Sequence, residues 1–505
     1  MLFSSVEFLC AFLPFTLLIY FLLPGRRLRN RFLLLMSLIF YAWGEPLYVL
    51  LMLTCIVGNY AFGLLAAAFR DSASRWPARL NLTAMLTFNL GLLAVYKYAG
   101  FVIGNLNSAF GLNLADPGFV LPIGISFFTF QGMSYVLDVY RGQAQARLNV
   151  LDVGLYVAFF PQLIAGPIVR YNTIAAEIDG RRENWHDFAA GVDLFIVGLG
   201  KKVLLANNFA LVVDKILDSG TYVYAQEMSV AAAWAAAIGY TLQIYFDFSG
   251  YSDMALGLGR MFGFHFLPNF NYPYVARSIT DFWRRWHISL SSWFRDYVYI
   301  PLGGNRVDKK RLVLNLFLVW LLTGLWHGAN WTYFFWGIAM AVFISAENLF
   351  GKPLKEFLKR RGADIESPPI RLARQMLLFV ALVPTALLFR SASLAEYGRL
   401  FIKLFSDFGF GADYFTAAFS ALDMSPVGAA ELLCALVCMA MVYNFGEFGK
   451  DGREELFPLS EQTAYSRGIF AQRYSVYVYI VLAIGACWLY LLSLGGVSEF
   501  TYFQF

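Results

Sequence analysis

One histidine of the four in this chain stands where a titratable side chain is costly. His327 lies in Leu321-Leu322-Thr323-Gly324-Leu325-Trp326-His327-Gly328-Ala329-Asn330, between two apolar runs. An ionisable group at membrane depth defaults to a functional reading, because the bilayer offers it no water. Counted as a helix from Arg311, the imidazole lies roughly 24 Å along. That is at or beyond the middle of a hydrocarbon core about 30 Å thick. An uncharged imidazole there can accept a proton from a hydroxyl, which is the task of a general base. Gly324 and Gly328 flank it and would let a substrate or a neighbouring backbone approach. A structural or proton-relay histidine is the competing reading.

His287 sits in Asp281-Phe282-Trp283-Arg284-Arg285-Trp286-His287-Ile288-Ser289-Leu290, a basic and aromatic segment. Arginine forks match phosphate geometry, so this stretch could hold an anionic acyl carrier. A basic interfacial helix that binds lipid headgroups fits equally well. A catalytic base also needs a partner on its other ring nitrogen, and Asn330, Asp247 and Asp253 are candidates. Asp247 lies among apolar and aromatic residues, which favours burial and function. Asp253 precedes Met254 and reads as a helix cap. His265, between Phe264 and Phe266, reads as a hydrogen-bonded core histidine, and His186 as a surface residue. The cysteines Cys10, Cys55, Cys434, Cys438 and Cys487 lie in or beside apolar segments with no CxxC spacing. They read as small buried hydrophobes, and no constellation calls for a metal.

The elements that must position these residues are membrane helices. Hydrophobic residues make up 59% and charged residues only 14% of the 505, well below the ~25% charge of soluble domains. Apolar runs alternate with short basic loops, which sets membrane orientation and argues against nucleic-acid binding. Phe3 to Leu23 is a retained first span, because no basic n-region or cleavage site accompanies it. The clusters Arg26 to Arg31, Arg70 to Arg79, Arg141 with Arg147, Arg170 to His186, and 352–374 belong on the cytoplasmic side. Spans are expected near 32–43, 47–68, 81–97, 118–139, 189–217, 228–247, 312–326, 331–349, 375–391, 430–446 and 474–495. Lys201 and Lys202 could divide the 189–217 helix, and 392–429 reads as an outer loop. Leu151 to Val169, broken by Pro161, Gly166 and Pro167, reads as re-entrant. The polar segment 278–311 reads as amphipathic helices at the cytoplasmic face. No internal repeat is visible, which weighs against a transporter or channel, the alternative function from another class.

Two motifs sharpen this reading. Trp283 to Leu290, Trp293-Phe294-Arg295-Asp296-Tyr297 and Pro301-Leu302-Gly303-Gly304-Asn305-Arg306 are followed by Gly324-Leu325-Trp326-His327-Gly328-Ala329-Asn330. Together they resemble the membrane-bound O-acyltransferase superfamily, and most closely its bacterial branch that O-acetylates alginate or peptidoglycan. Leu121 to Phe127, Asp138 to Gly142, Phe160 to Pro167 and Tyr245 to Ala255 are similar to the same branch. The resemblance implies one integral membrane domain over 1–505, with core motifs within 118–350. It implies an all-α ring of about 11–13 transmembrane and re-entrant helices around a central tunnel. It also implies acetyl transfer from a cytoplasmic thioester, with acetyl-CoA as donor substrate and no cofactor. The acetyl group would move toward a cell-surface polysaccharide, directly or through a periplasmic SGNH-type partner with its own serine. The protein would sit in the bacterial inner membrane in contact with lipid. On this reading His327, His287 and Asp247 are catalytic. Arg284, Arg285, Trp286, Arg295, Trp326, Asn330 and Asn305 contact substrate, and no metal is held.

Overall fold

A computed structural model describes residues 1–217, 228–406 and 408. The expected spans at 430–446 and 474–495, and Cys434, Cys438 and Cys487, lie outside these residues. The described part is helical, with no strand. Apolar runs too long for loops wind into helices because, away from water, each backbone N–H and C=O must be satisfied within its own segment. Four helical segments among the described residues are long and apolar enough to cross a membrane: Val49–Arg70, Trp76–Phe110, Trp331–Arg360 and Pro368–Arg390. Their outward faces carry exposed large hydrophobics such as Leu50, Val57, Leu80, Phe335, Leu377 and Val380. That distribution suits a lipid surround better than water.

The first half forms one packed body. Phe8–Leu22 includes α1 (Leu13–Leu22), followed by α2 (Arg26–Gly44) and α3 (Val49–Arg70). Gly44 ends α2, and Glu45 and Pro46 lie in the connection to α3, as their sequence suggests. Next come α4 (Trp76–Leu93) and α5 (Ala99–Phe110), joined without a break by a wider π-helical turn, Ala94–Tyr98. This span therefore overruns the expected 81–97. The next one starts later than 118, because α6 (Ile125–Tyr140) begins only after the positive-φ Gly124. The re-entrant expectation for 151–169 becomes α7 (Val150–Ala158) and α8 (Phe160–Leu163), broken before Pro161 and buried. Helices α2, α3, α4, α6 and α7 pack on one another around an aromatic core that includes Phe3, Phe8, Phe40, Phe128 and Phe160.

The basic loops of this half converge on one face, as the charge pattern predicts. Helix α9 (Tyr171–Gly180) supplies Asp179, which accepts from Arg147, and its main chain accepts from Arg26. Glu183 pairs with Arg29 at 3.3 Å, and Asp296 with Arg170.

The described part of the second half is built from helices packed side by side. Helix α10 (Trp185–Gly200) runs through a π turn at Lys201–Ala206 into α11 (Asn207–Leu217), so the two lysines widen the helix and do not divide it. Both pack along α12 (Val230–Met261). Gly198 faces the carbonyl of Gly250, and a Cβ there would lie 2.4 Å from that oxygen. Helices α13 (Ile279–Arg285) and α14 (Ile288–Phe294) are the short amphipathic pieces expected within 278–311. Helix α15 (Lys309–His327) turns at Gly328 into α16 (Trp331–Arg360), which packs on α17 (Pro368–Arg390). The outer loop expected from 392 instead starts with a helix, α18 (Leu394–Lys403), capped by Ser393. Its amphipathic pattern packs one face on α12, α16 and α17.

Candidate active site

His327 is the last residue of α15, at the end away from the basic residues Lys309, Lys310 and Arg311. The helix is about 28 Å long at 1.5 Å per residue, so the imidazole lies a full helix length from that basic end. Asp308 starts α15 by accepting from the N–H groups of Lys310 and Arg311 at 2.9 and 3.1 Å. Close helix packing fixes the other end. A Cβ on Gly324 would sit 2.5 Å from the carbonyl of Tyr333, and Gly337 faces the Trp320 carbonyl at 2.6 Å. The small residues beside His327 thus admit the backbone of α16, and Gly328 admits the ring of Tyr333. The imidazole is 8% exposed. It meets the rings of Trp326, Trp336 and Phe389 at centroid separations of 5.0, 5.1 and 5.1 Å.

His287 lies one ring away. Its centroid is 6.0 Å from Trp326, which itself touches His327. It precedes α14 with a left-handed φ of 45°, uncommon for a residue with a side chain. Its Nδ1 donates to Oδ1 of Asn269 at 3.2 Å, and Phe248 stands edge-on at 4.6 Å.

Lys97, in the π turn between α4 and α5, escaped the sequence reading because it stood at the edge of an expected span. The structure buries it against the histidine turn. Its ammonium donates to the main-chain carbonyls of Trp326 and His327, the latter at 3.1 Å, and to Oγ of Ser126 at 3.3 Å. The neighbouring Tyr98 hydroxyl donates to the carbonyl of Leu325. The last carbonyls of a helix have no intrahelical donor, and these two side chains supply donors for α15. A lone lysine in an apolar stretch was the available signal.

The remaining sequence candidates separate into groups. Trp326 stands between the two histidines and packs on Phe127 and Phe130 at 5.4 and 5.8 Å. Phe130 stacks on Trp293 at 4.0 Å, and Trp293 meets Tyr297 at 5.1 Å. These rings connect Tyr297, near the exposed Arg295, to Trp326 and through it to both histidines. Arg284 and Arg295 are exposed on that segment. Arg285 donates to Asp281 at 2.8 Å, and Arg295 donates to Asp296 at 2.7 and 3.2 Å. Burial opposes ionisation of Asp296, but the Arg295 hydrogen bond and the Arg170 and Arg295 charges hold it below the usual carboxylate range. Asn305 accepts from the Tyr299 hydroxyl, and Trp286 stacks on Phe282 at 5.5 Å.

Asn330 caps α16, accepting from Thr332 N–H at 3.1 Å while its amide donates to the Ala392 carbonyl. Asp247 is held by the ammonium of Lys202 at 2.7 Å, both side chains buried. The cap reading of Asp253 is overturned. It lies inside α12 and pairs with Lys201 at 2.6 Å. His265 bonds Glu177 at 2.8 Å, as expected, but it is half-buried among charged residues and not in the core. His186 is exposed in the first turn of α10.

Two histidines thus flank one buried indole at the end of α15. The profile of the membrane-bound O-acyltransferase family matches residues 38–363. This chain belongs to the membrane-bound O-acyltransferase family. Two relatives cover its whole length and are themselves wholly covered. A protein of Azotobacter vinelandii named a probable alginate O-acetylase is 38% identical, and one of Pseudomonas putida with the same name is also 38% identical. The peptidoglycan O-acetyltransferase of Helicobacter pylori is 37% identical over 71% of this chain and 72% of its own. The protein is therefore a membrane-bound acyltransferase, and its apolar helices make it multi-pass. Family membership sets the transporter reading aside.

Proposed function

We propose that this acyltransferase moves an acetyl group from a thioester, acetyl-CoA, to a hydroxyl bound for a cell-surface polysaccharide. It works in the bacterial inner membrane, directly or through a periplasmic partner with a serine nucleophile. What carries the reading is the placement of His327 at the buried end of α15, joined by a row of aromatic rings to an exposed basic segment. Arg284, Arg295 and the basic start of α15 would meet the carrier phosphates, which paired guanidinium contacts suit. The thioester would then reach along the rings to the histidines. The names of the full-length alginate relatives and of the peptidoglycan relative support a polysaccharide acceptor.

In the reaction, His327 takes the proton of the acceptor hydroxyl as its oxygen attacks the thioester carbonyl. A C–O bond forms, the C–S bond breaks, and the proton passes from the imidazole to the leaving thiolate. Thiolate leaves readily, so no protein nucleophile is required. An acyl-histidine on His327 is a second route.

The test is acetylation of envelope polymer in cells that carry His327→Ala. General-base loss typically costs about 10²–10⁴-fold, so acetyl esters should fall to background while the protein remains at normal abundance. Near-normal acetylation would remove His327 from the reaction. The polymer that loses its esters identifies the acceptor.

A further inference from the structure

Asn269 belongs to the loop between α12 and α13, is 1% exposed, and takes no part in the chemistry described so far. Its side-chain oxygen accepts from the main-chain N–H of Ser289 at 3.1 Å and from the Ser289 hydroxyl at 2.9 Å. Its amide nitrogen donates to Oγ of Ser252 at 3.1 Å, and its main-chain carbonyl accepts from Ile288 N–H at 2.9 Å. A main-chain N–H can only donate, so the atom facing Ser289 must be the oxygen, and the amide has one orientation. That same oxygen faces Nδ1 of His287 at 3.2 Å. An amide oxygen can only accept, so Nδ1 carries the proton and, in the neutral ring, Nε2 carries the lone pair.

A second observation points to the same place. His287 holds a left-handed backbone with φ 45°. Such strain persists only where surrounding bonds over-determine it, and it gathers at functional sites. The bonds that do so come from Asn269, which grips Ile288 and Ser289 directly after the strained residue.

We propose that Asn269 is a positioning residue that fixes His287 with Nδ1 protonated, so that His287 meets the reacting groups only as an acceptor through Nε2. This rests on the reading of His287 as part of the site. It assigns His287 to holding a hydroxyl or thiol proton, and it takes from His287 the alternative task of donating to the thioester oxygen.

The experiment measures turnover of acetyl-CoA by the full-length protein in detergent, as thiol released, across pH. Among the titratable groups around His287, His327 faces it across Trp326. Arg284 and Arg285 precede it on α13, and Asp247 adjoins Phe248 on α12 but is held by Lys202. Asn269→Ala should lower kcat about 10- to 100-fold with a smaller change in KM, as loss of an orienting partner does. Asn269→Asp keeps the acceptor and adds a charge that favours the imidazolium. It should retain measurable turnover, with the acid limb of the kcat profile moved up by about 1 pH unit or more. An Asn269 that does not face the titrating group would leave that limb in place. His287→Asn retains a donor near the Nδ1 position but offers nothing at Nε2, and should be inactive. If His287→Asn turns over normally, the catalytic reading of His287 falls. If it is inactive but Asn269→Asp shows the unshifted profile, positioning by Asn269 is overturned. That second result remains readable even where Asn269→Ala does not fold.

Discussion

Lys97 does for the histidine turn what bulk water would do at a soluble helix end. It brings N–H donors to two carbonyls that α15 cannot satisfy itself, and one of them belongs to His327. Lys97→Met should therefore leave the protein abundant but displace the imidazole, and a displacement of about 1 Å can cost about 100-fold in rate. Thiol release by purified variant and parent at equal protein checks this. Unchanged kcat would show that the turn holds without the lysine. The contrast between the two residues shows how far a sequence reads at this scale. His327 announced itself because it interrupts an apolar run within a distinctive motif. Lys97 and Asn269 did not. One sat at the apparent border of a span, and the other sat in a loop whose side chain meets residues 287–289 only after folding. Asp253 misled because a carboxylate beside a helical pattern looks like a cap, whereas its partner Lys201 is distant in sequence.

At the scale of elements, the turn joining α10 to α11 is tied to α12 by two ion pairs, Lys201 with Asp253, which is part-buried, and Lys202 with Asp247, which is buried. Removing one partner of a buried pair strands the other charge, at a cost of about 3–5 kcal/mol. Lys202→Met should accordingly lower the thermal midpoint of the detergent-solubilised protein, and Lys202→Met with Asp247→Leu should recover much of it. A double variant no more stable than the single one would show that the pair is not the source of the loss. Helix α15 meets α16 through Gly324 and Gly337 with backbones in contact. Gly324→Val should overpack that crossing, by at least about 1–3 kcal/mol, and be visible as lower yield of folded protein on size-exclusion chromatography. Existence of the elements was legible because bilayer thickness sets a length that composition can match. The joins were not: the continuation of α4 through Ala94–Tyr98 into α5, and of α10 through Lys201–Ala206 into α11, depends on turns that leave composition unchanged.

Across the whole molecule, the loops that the charge pattern assigned to one side meet there in a network that includes Arg26, Arg29, Arg147, Asp179 and Glu183. His265 joins this face, bonding Glu177 of α9 and lying 3.4 Å from Asp187 of α10. The Glu177 hydrogen bond outweighs burial and raises the imidazole above its ordinary 6.5. A raised folded value means the stabilisation is fully present below about 6.5 and fades as pH climbs through the folded value. His265→Gln should therefore lower the melting midpoint more at pH 5.5 than at pH 8.5, and an equal loss at both would show that charge plays no part.

The wide turns carry a genetic consequence. Lys97, Lys201, Lys202 and Arg295 all sit in segments wound one residue looser than the α-helix. Loss of one codon inside such a segment would remove its extra residue and leave the flanking helical faces in register, whereas the same loss in a regular α stretch would swing the downstream face by roughly 100°. In-frame single-codon losses should therefore be tolerated better inside the wide turns than in the α-helical stretches beside them.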